Sequence, residues 1–157
     1  MKNMELGAGS GNFGKIYFSP CCHTDKNKGL TFCHIDCFCD AYKLPFRENC
    51  FDMVIMCNPY GYGFYIKEDA EILLKELVRV LTDESKIIII GNHANKFCVP
   101  KQVQKRIRQI SLQSVRSLDF SVKDIDSKSL YPGYRFFTTD GRKTKPTKMV
   151  TLYVNKK

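Results

Sequence analysis

The feature that most constrains the fold is an alternation of apolar runs with an amphipathic segment in the middle of the chain. Residues 51–57 (FDMVIMC) form a short apolar run that ends at an Asn-Pro pair, which is typical of a buried strand. Residues 68–81 place leucines and valines on one face and acidic residues in the first turn, which predicts an amphipathic helix. Residues 86–91 (KIIIIG) are rich in β-branched side chains and predict another strand. Strands that alternate with helices indicate a mostly parallel sheet with crossover helices, so we predict an α/β fold.

The C-terminal third predicts one more helix and a pair of strands. The helix is expected after Pro100, where apolar residues recur at helical spacing and basic residues lie between them. Residues 119–125 and 149–154 alternate like strands, and turn signals at 131–133 and 140–141 separate them. We therefore expect an antiparallel C-terminal strand pair.

Length and composition indicate one domain without a membrane segment. The 157 residues, 43% of them apolar, suffice for a single core, so we expect one domain over residues 1–157. No apolar run approaches the roughly 18 residues of a membrane span, and residues 1–3 lead into a glycine-rich turn without an apolar signal segment. We expect a cytoplasmic protein.

The eight cysteines are expected to remain reduced and to serve mostly as small buried hydrophobic residues. Seven side chains that could bind zinc lie close together in sequence, but they lack paired C-x2-C knuckles, and several alternate along a strand-like stretch. We therefore predict no metal site. These seven residues are Cys21, Cys22, His23, Cys33, His34, Cys37 and Cys39.

The positive charge is concentrated in the last third of the chain. Residues 101–157 contain 14 Lys and Arg against 4 Asp and Glu, whereas residues 1–100 contain 11 against 12. This asymmetry favours an acidic partner, such as RNA, DNA or an acidic protein, with a merely solvated surface as the alternative.

A glycine-rich segment near the N-terminus, residues 5–11 (ELGAGSG), follows a predicted first strand that ends near Met4. Glycines at 7, 9 and 11 allow a sharp turn and a close approach of the backbone to a ligand. Segments 40–46 (DAYKLPF), 51–54 (FDMV) and 74–81 (LKELVRVL) follow in order. Together these segments resemble the successive motifs of class I S-adenosylmethionine-dependent methyltransferases.

The resemblance implies a Rossmann-like, doubly wound sheet and S-adenosylmethionine as cofactor. In that family the glycine loop passes the methionine and ribose part of the cofactor, and the acid of the third motif lies near the adenine. The corresponding residues here would be Glu5, Gly7, Gly9, Gly11, Asp40 and Ala41. Asp40 could instead serve only to cap the next turn, without binding the cofactor.

Asn58-Pro59-Tyr60 follows the predicted strand at 51–57 and resembles the N-P-P-Y motif of amino-group methyltransferases, although the second proline is missing. In those enzymes the polar side chain and a neighbouring carbonyl accept hydrogen bonds from the target NH2, and the aromatic ring stacks on the base. The resemblance therefore makes these three residues the catalytic candidates. His93, after the strand at 86–91, is a further candidate acid or base.

The stretch between Gly11 and Asp40 is short for a complete family member, with only 28 residues for two strands and their crossovers. The acid for the ribose hydroxyls could be Asp25 or Asp36, and either choice reduces one strand-helix unit. We predict a methyltransferase whose acceptor is RNA or another acidic molecule. The alternative is a catalytically inactive binding protein of the same fold, either immunity- or antitoxin-like or an activating subunit.

Overall fold

The computed structural model describes residues 2–29 and 34–157, and within these ranges the chain forms nine strands and four helices. The strands are β1 (Asn3–Leu6), β2 (Cys21–Asp25), β3 (Cys37–Phe38), β4 (Phe51–Cys57), β5 (Leu81–Gly91), β6 (Val115–Asp124), β7 (Phe136–Phe137), β8 (Lys143–Thr144) and β9 (Lys148–Lys156). The helices are α1 (Phe13–Tyr17), α2 (Lys67–Val80), α3 (Pro100–Gln109) and α4 (Ser127–Leu130).

Seven of the described strands form one sheet in the order β3-β2-β1-β4-β5-β9-β6. The first five are parallel to one another, and β9 runs antiparallel between β5 and β6. The chain proceeds outward from β1 to β3 and returns to β4 beside β1. It then continues to β5 and to the edge strand β6, and β9 finally inserts between these two. This arrangement confirms the predicted doubly wound, mostly parallel sheet and its antiparallel C-terminal strand pair.

Both faces of the sheet are covered, which explains the almost uninterrupted apolar run of β4. Val54 and Met56 face the core that α2 and α3 complete, whereas Met53 and Ile55 belong to a second core on the other face. The second core is aromatic: the Phe13 ring of α1 lies 4.8 Å from Tyr131 between ring centroids. Tyr131 and Phe136 follow α4, so the chain after α4 packs on this second face together with α1.

The reduced N-terminal half lies between β2 and β3. Eleven residues, 26–36, connect these parallel strands, and the described ones, 26–29 and 34–36, contain no helix. The strand-like stretch along which the cysteines alternate is only partly a strand, because residues 34–36 are not in a strand and β3 begins at Cys37. Residues 31–33 lie outside the described part.

Candidate active site

A cavity of about 860 Å3 opens at the carboxyl ends of β1, β2 and β4. The strand order reverses between β1 and β4, and ligands of open α/β sheets bind in the crevice at such a switch point. The sequence predicts many of the residues that line it. They are Glu5, Gly7, Gly9, Gly11, Asp25, Asp40, Ala41, Asn58 and Tyr60.

The glycine loop turns where the sequence predicts it, directly after β1. Gly7 and Gly9 have φ values of +68° and +61°, a left-handed conformation that is strained for other residues. The Gly9 amide donates to Asp25 Oδ2 at 2.9 Å. The loop is thus tied to the last residue of the neighbouring strand.

Of the two candidate ribose acids, the structure brings only Asp25 to the cavity. Asp25 ends β2 and also accepts a hydrogen bond from the Asn27 amide at 2.8 Å. Asp36 does not line the cavity, because its carboxylate accepts hydrogen bonds from the His23 amide at 2.9 Å and from Lys15 Nζ at 3.0 Å.

Asp40 and Ala41 follow β3 and line the cavity as the resemblance implies. Asp40 also caps a turn, since its Oδ1 accepts from the Tyr42 amide at 2.9 Å. The two interpretations considered for Asp40 are compatible with this geometry, because a carboxylate that receives one backbone hydrogen bond keeps further acceptor capacity.

Glu5 is buried beside the glycine loop and is 2% exposed. Its Oε2 accepts from the Gly14 amide at 2.6 Å and lies 3.1 Å from Nε2 of the fully buried His23. The Lys15 amide donates to the same imidazole nitrogen at 3.0 Å. Glu5 and His23 therefore hold the first turn of α1, which fixes the chain that leaves the glycine loop.

Asn58, Pro59 and Tyr60 lie at the carboxyl end of β4, on the wall between two cavities. Asn58 and Tyr60 line both the first cavity and a second one of about 510 Å3. Pro59 is buried and lines neither, but its carbonyl oxygen accepts a hydrogen bond from Asn95 Nδ2 at 2.9 Å. Tyr60 is 67% exposed, so its ring is available to a ligand. His93 is exposed and borders neither cavity.

Two tyrosines that the sequence patterns did not single out contact the glycine loop. The Tyr62 hydroxyl donates to the Leu6 carbonyl at 2.6 Å, and its ring closes the space that a Cβ at Gly7 would need. The Tyr134 hydroxyl would lie 2.6 Å from a Cβ at Gly11. Burial raises the pKa of both hydroxyls well above the ordinary value for tyrosine.

The part of the cavity lining that follows α4 was also not predicted from the sequence. Residues 133–139, between α4 and the short β7–β8 hairpin, line the first cavity, and Arg142 lines the second. The only sequence signal there is a pair of turn motifs flanking an aromatic and basic stretch, which does not indicate where the stretch packs.

The described cysteines are free thiols, and burial raises the pKa of Cys21 and of Cys98 to about 12. Within residues 2–29 and 34–157, no group of three His, Cys, Asp or Glu side chains is placed to hold a metal ion. Cys33, one of the seven potential zinc ligands, lies outside this range. In the same part of the chain, no helix has the length and apolar character needed to cross a membrane.

The sheet order and the switch-point cavity define a Rossmann-like protein of the class I methyltransferase type. Solved structures have the same fold. A SAM-dependent methyltransferase from Thermotoga maritima, described as a possible histamine N-methyltransferase, is 13% identical, with a TM-score of 0.62 over 98% of this chain and 82% of that one. A SAM-dependent methyltransferase from Archaeoglobus fulgidus is 13% identical, with a TM-score of 0.60 over 98% and 86%. The cyclase SpnF is 11% identical, with a TM-score of 0.62 over 98% and 74%.

The sequence itself matches the family described as methyltransferase domain over residues 4–89, more than half of the chain. No curated protein sequence matches it. The chain therefore belongs to the methyltransferase domain family, which confirms the resemblance. This membership implies S-adenosylmethionine as the cofactor.

The residues present fit this cofactor. The cavity volume lies within the range of about 300–1,000 Å3 that is usual for small-molecule sites. The backbone at Gly9 is open and can approach a ligand closely, Asp25 can accept hydrogen bonds from hydroxyl groups, and Ala41 leaves room in the cavity lining.

Proposed function

We propose that this protein transfers a methyl group from S-adenosylmethionine to an acceptor carried by an anionic molecule, most simply RNA. The observation that carries the proposal is the wall shared by the two cavities. Asn58 and Tyr60 line both cavities, whereas the glycine loop and Asp25 line only the first. A cofactor and an acceptor bound in these cavities would meet at that wall.

When bound, S-adenosylmethionine supplies a methyl group attached to a positively charged sulfur. Transfer depends mainly on alignment of that methyl group with the acceptor atom, so the task of this chain is to position its ligands. Asn58 Oδ1 and the Pro59 carbonyl are hydrogen-bond acceptors that can orient a donor group. The exposed Tyr60 ring offers a surface for stacking.

Positive charge around the cavity openings supports an anionic acceptor. Arg135 lines the first cavity and Lys96 lines the second, where Arg142 is paired with Asp140; exposed Lys143 and Lys145 lie in and beside the β7–β8 hairpin. Cations at these places attract phosphate groups and bring a polyanion toward the site.

The alternative is a catalytically inactive binding protein, and one observation favours it. The Tyr62 ring lies in the crevice between β1 and β4, against the glycine that the cofactor would pass. Together with the short connection from β2 to β3, this contact reduces the space on the cofactor side.

Calorimetric titration with S-adenosylhomocysteine tests the proposal and assigns the ribose acid. We expect saturable binding that Asp25→Asn weakens at least tenfold, because a hydrogen bond to a charged group contributes about 1.5–3 kcal/mol. Asp36→Asn is the matched control and should bind like the wild type, since Asp36 lies outside the cavity. Absence of heat and of a thermal shift with wild-type protein at millimolar ligand would favour the inactive alternative. Loss of affinity in Asp36→Asn alone would reverse the assignment.

A further inference from the structure

The side-chain amide of Asn95 connects the loops that follow β4 and β5. Its Nδ2 donates to Asn58 Oδ1 at 2.9 Å and to the Pro59 carbonyl at 2.9 Å, while its Oδ1 accepts from the Phe97 amide at 3.0 Å. Both hydrogens of one NH2 group are therefore held by oxygens from two consecutive residues.

The two oxygens converge where Asn58 takes a left-handed conformation, with φ of +49°, directly after β4. A non-glycine residue is uncommon there, although asparagine tolerates it better than most. Two convergent acceptors match a group with two hydrogens on one atom, such as a planar NH2. A hydroxyl offers one hydrogen and a carbonyl offers none.

This NH2 position lies at the wall between the two cavities. Asn58 and Tyr60 border both of them, and Asn95 borders the second. An acceptor that enters through the second cavity reaches the oxygens of Asn58 and Pro59 only when the Asn95 amide leaves them.

We propose that Asn95 is a specificity-determining residue: its own amide closes the acceptor position, and a nucleobase with an exocyclic NH2 group opens it by replacing both hydrogen bonds. This inference rests on the proposed function and adds to it the residue that selects the acceptor. A base with a carbonyl at the same place leaves Asn58 and Pro59 without donors, so it does not displace Asn95.

The surroundings of Asn95 favour a nucleobase. Tyr60 follows Pro59 directly in the chain, and the centroid of its exposed ring is 5.4 Å from that of Phe97. Lys96 lines the second cavity, and its Nζ lies 5.4 Å from the centroid of the Phe97 ring, which lines the same cavity. Aromatic faces next to cations suit a stacked base that carries phosphate.

The test compares adenosine monophosphate with inosine monophosphate, which has a carbonyl oxygen in place of the NH2 group. In 15N-labelled wild-type protein, we expect the adenine nucleotide to shift the Asn95 side-chain NH2 resonances and the hypoxanthine nucleotide to leave them in place. Asn95→Ala should bind adenosine monophosphate about tenfold more tightly, because two hydrogen bonds no longer have to be broken. Its affinity for inosine monophosphate should be unchanged.

Asn155→Ala is the matched control, because Asn155 donates one side-chain hydrogen bond to Ser117 on the distant β6–β9 pair. It should bind both nucleotides like the wild type. The inference is overturned if the two nucleotides act alike on the wild-type resonances, or if a glutamine-containing peptide shifts them and adenosine monophosphate does not. S-Adenosylhomocysteine is titrated into the same samples. If S-adenosylhomocysteine binds but the two nucleotides act alike, only this inference fails. If S-adenosylhomocysteine does not bind, the proposed function fails as well.

Discussion

Tyr62 and Gly7 meet at the carboxyl end of β1, where a cofactor has to pass. The Tyr62 hydroxyl uses the Leu6 carbonyl as its acceptor at 2.6 Å, and Gly7 has no side chain that would push the ring away. Because burial raises the pKa of Tyr62, the hydroxyl remains a donor throughout the physiological pH range. Tyr62 and a ligand in this crevice therefore compete for the same carbonyl oxygen and the same space.

Tyr62→Phe removes this competing hydrogen bond and keeps the ring. We expect S-adenosylhomocysteine to bind about fivefold more tightly, since a neutral hydrogen bond contributes about 1 kcal/mol. Isothermal titration calorimetry measures the change. Tyr17→Phe is the control, because Tyr17 also donates to a backbone carbonyl, that of Pro132 at 2.9 Å, but does not line the cavity. Weaker binding in Tyr62→Phe would mean that the hydroxyl assists the ligand.

At the scale of elements, α2 holds the loop that carries Asp40 and Ala41 at one end. Arg79 donates to the carbonyls of Phe46 at 2.7 Å and Leu44 at 2.8 Å, and Glu76 Oε2 accepts from the Leu44 amide at 2.8 Å. Glu76 and Arg79 also form an ion pair at 2.9 Å. Segments 40–46 and 74–81, which the resemblance connects with the family, are thus in direct contact.

Arg79→Ala removes both hydrogen bonds to the loop and leaves Glu76 with one partner fewer. We expect the free energy of unfolding to fall by about 2–3 kcal/mol, because hydrogen bonds from a charged donor are among the stronger ones. Urea denaturation at neutral pH measures this. Lys75→Ala is the control, since the exposed Lys75–Glu71 pair should contribute no more than about 0.5 kcal/mol. Equal effects of the two variants would contradict the role of Arg79.

The effect of Arg79→Ala should also depend on pH. The hydrogen bond from Arg79 lowers the pKa of Glu76 below its ordinary value. The folded state therefore binds this proton less tightly than the unfolded chain does, so the stabilisation is complete above the unfolded pKa of about 4.3 and is lost as the pH falls through the lower, folded value. The difference between wild type and variant should accordingly shrink in acid.

At the scale of the whole molecule, the basic residues of the C-terminal third are spread over several places, of which the β7–β8 hairpin and the start of β6 can be compared directly. Lys143 pairs with Phe137, which lines the first cavity, and exposed Lys145 follows two residues later. Arg116 and Lys157 lie at the other end of the strands, where β9 pairs with the start of β6. Under the proposed function, the first of these two pairs would guide a polyanion to the cavities.

Lys143→Glu with Lys145→Glu should weaken binding of a short single-stranded RNA and reduce its salt dependence. The slope of log K against log salt should fall by about 0.7 for each phosphate group that the protein no longer neutralises. Fluorescence anisotropy over a range of salt concentrations measures both quantities. Arg116→Glu with Lys157→Glu makes the same change in net charge at the other end of the strands and should have a smaller effect. Equal reductions in affinity would indicate that RNA, if bound, is attracted by net charge alone.

The sequence predicts the parts of the fold that local patterns determine. The apolar run of β4, the amphipathic face of α2 and the β-branched run of β5 are visible in consecutive residues, and their order leads to the doubly wound sheet. The choice between Asp25 and Asp36 was not predictable, because it depends on which residue ends β2 beside β1. The β7–β8 hairpin has strands of two residues, too short to show any periodicity.

Contacts between residues distant in sequence could not be predicted either. Asn95 binds Asn58 across 37 positions, and Tyr62 binds Leu6 across 56. Neither pair leaves a pattern in the sequence, since each depends on how loops leave neighbouring strands.

Asn58, Pro59 and Tyr62 belong to one short loop, and both contacts that occupy the candidate site are made through it. Under the proposed function, a ligand that displaced Tyr62 from Leu6 and an acceptor that displaced Asn95 from Asn58 and Pro59 would each release one of the contacts that hold this loop. Release of one contact would make the other easier to break, so the two binding events would share a coupling free energy. By thermodynamic linkage, each ligand then raises the affinity for the other by the same factor. Methyl donor and acceptor would therefore bind cooperatively.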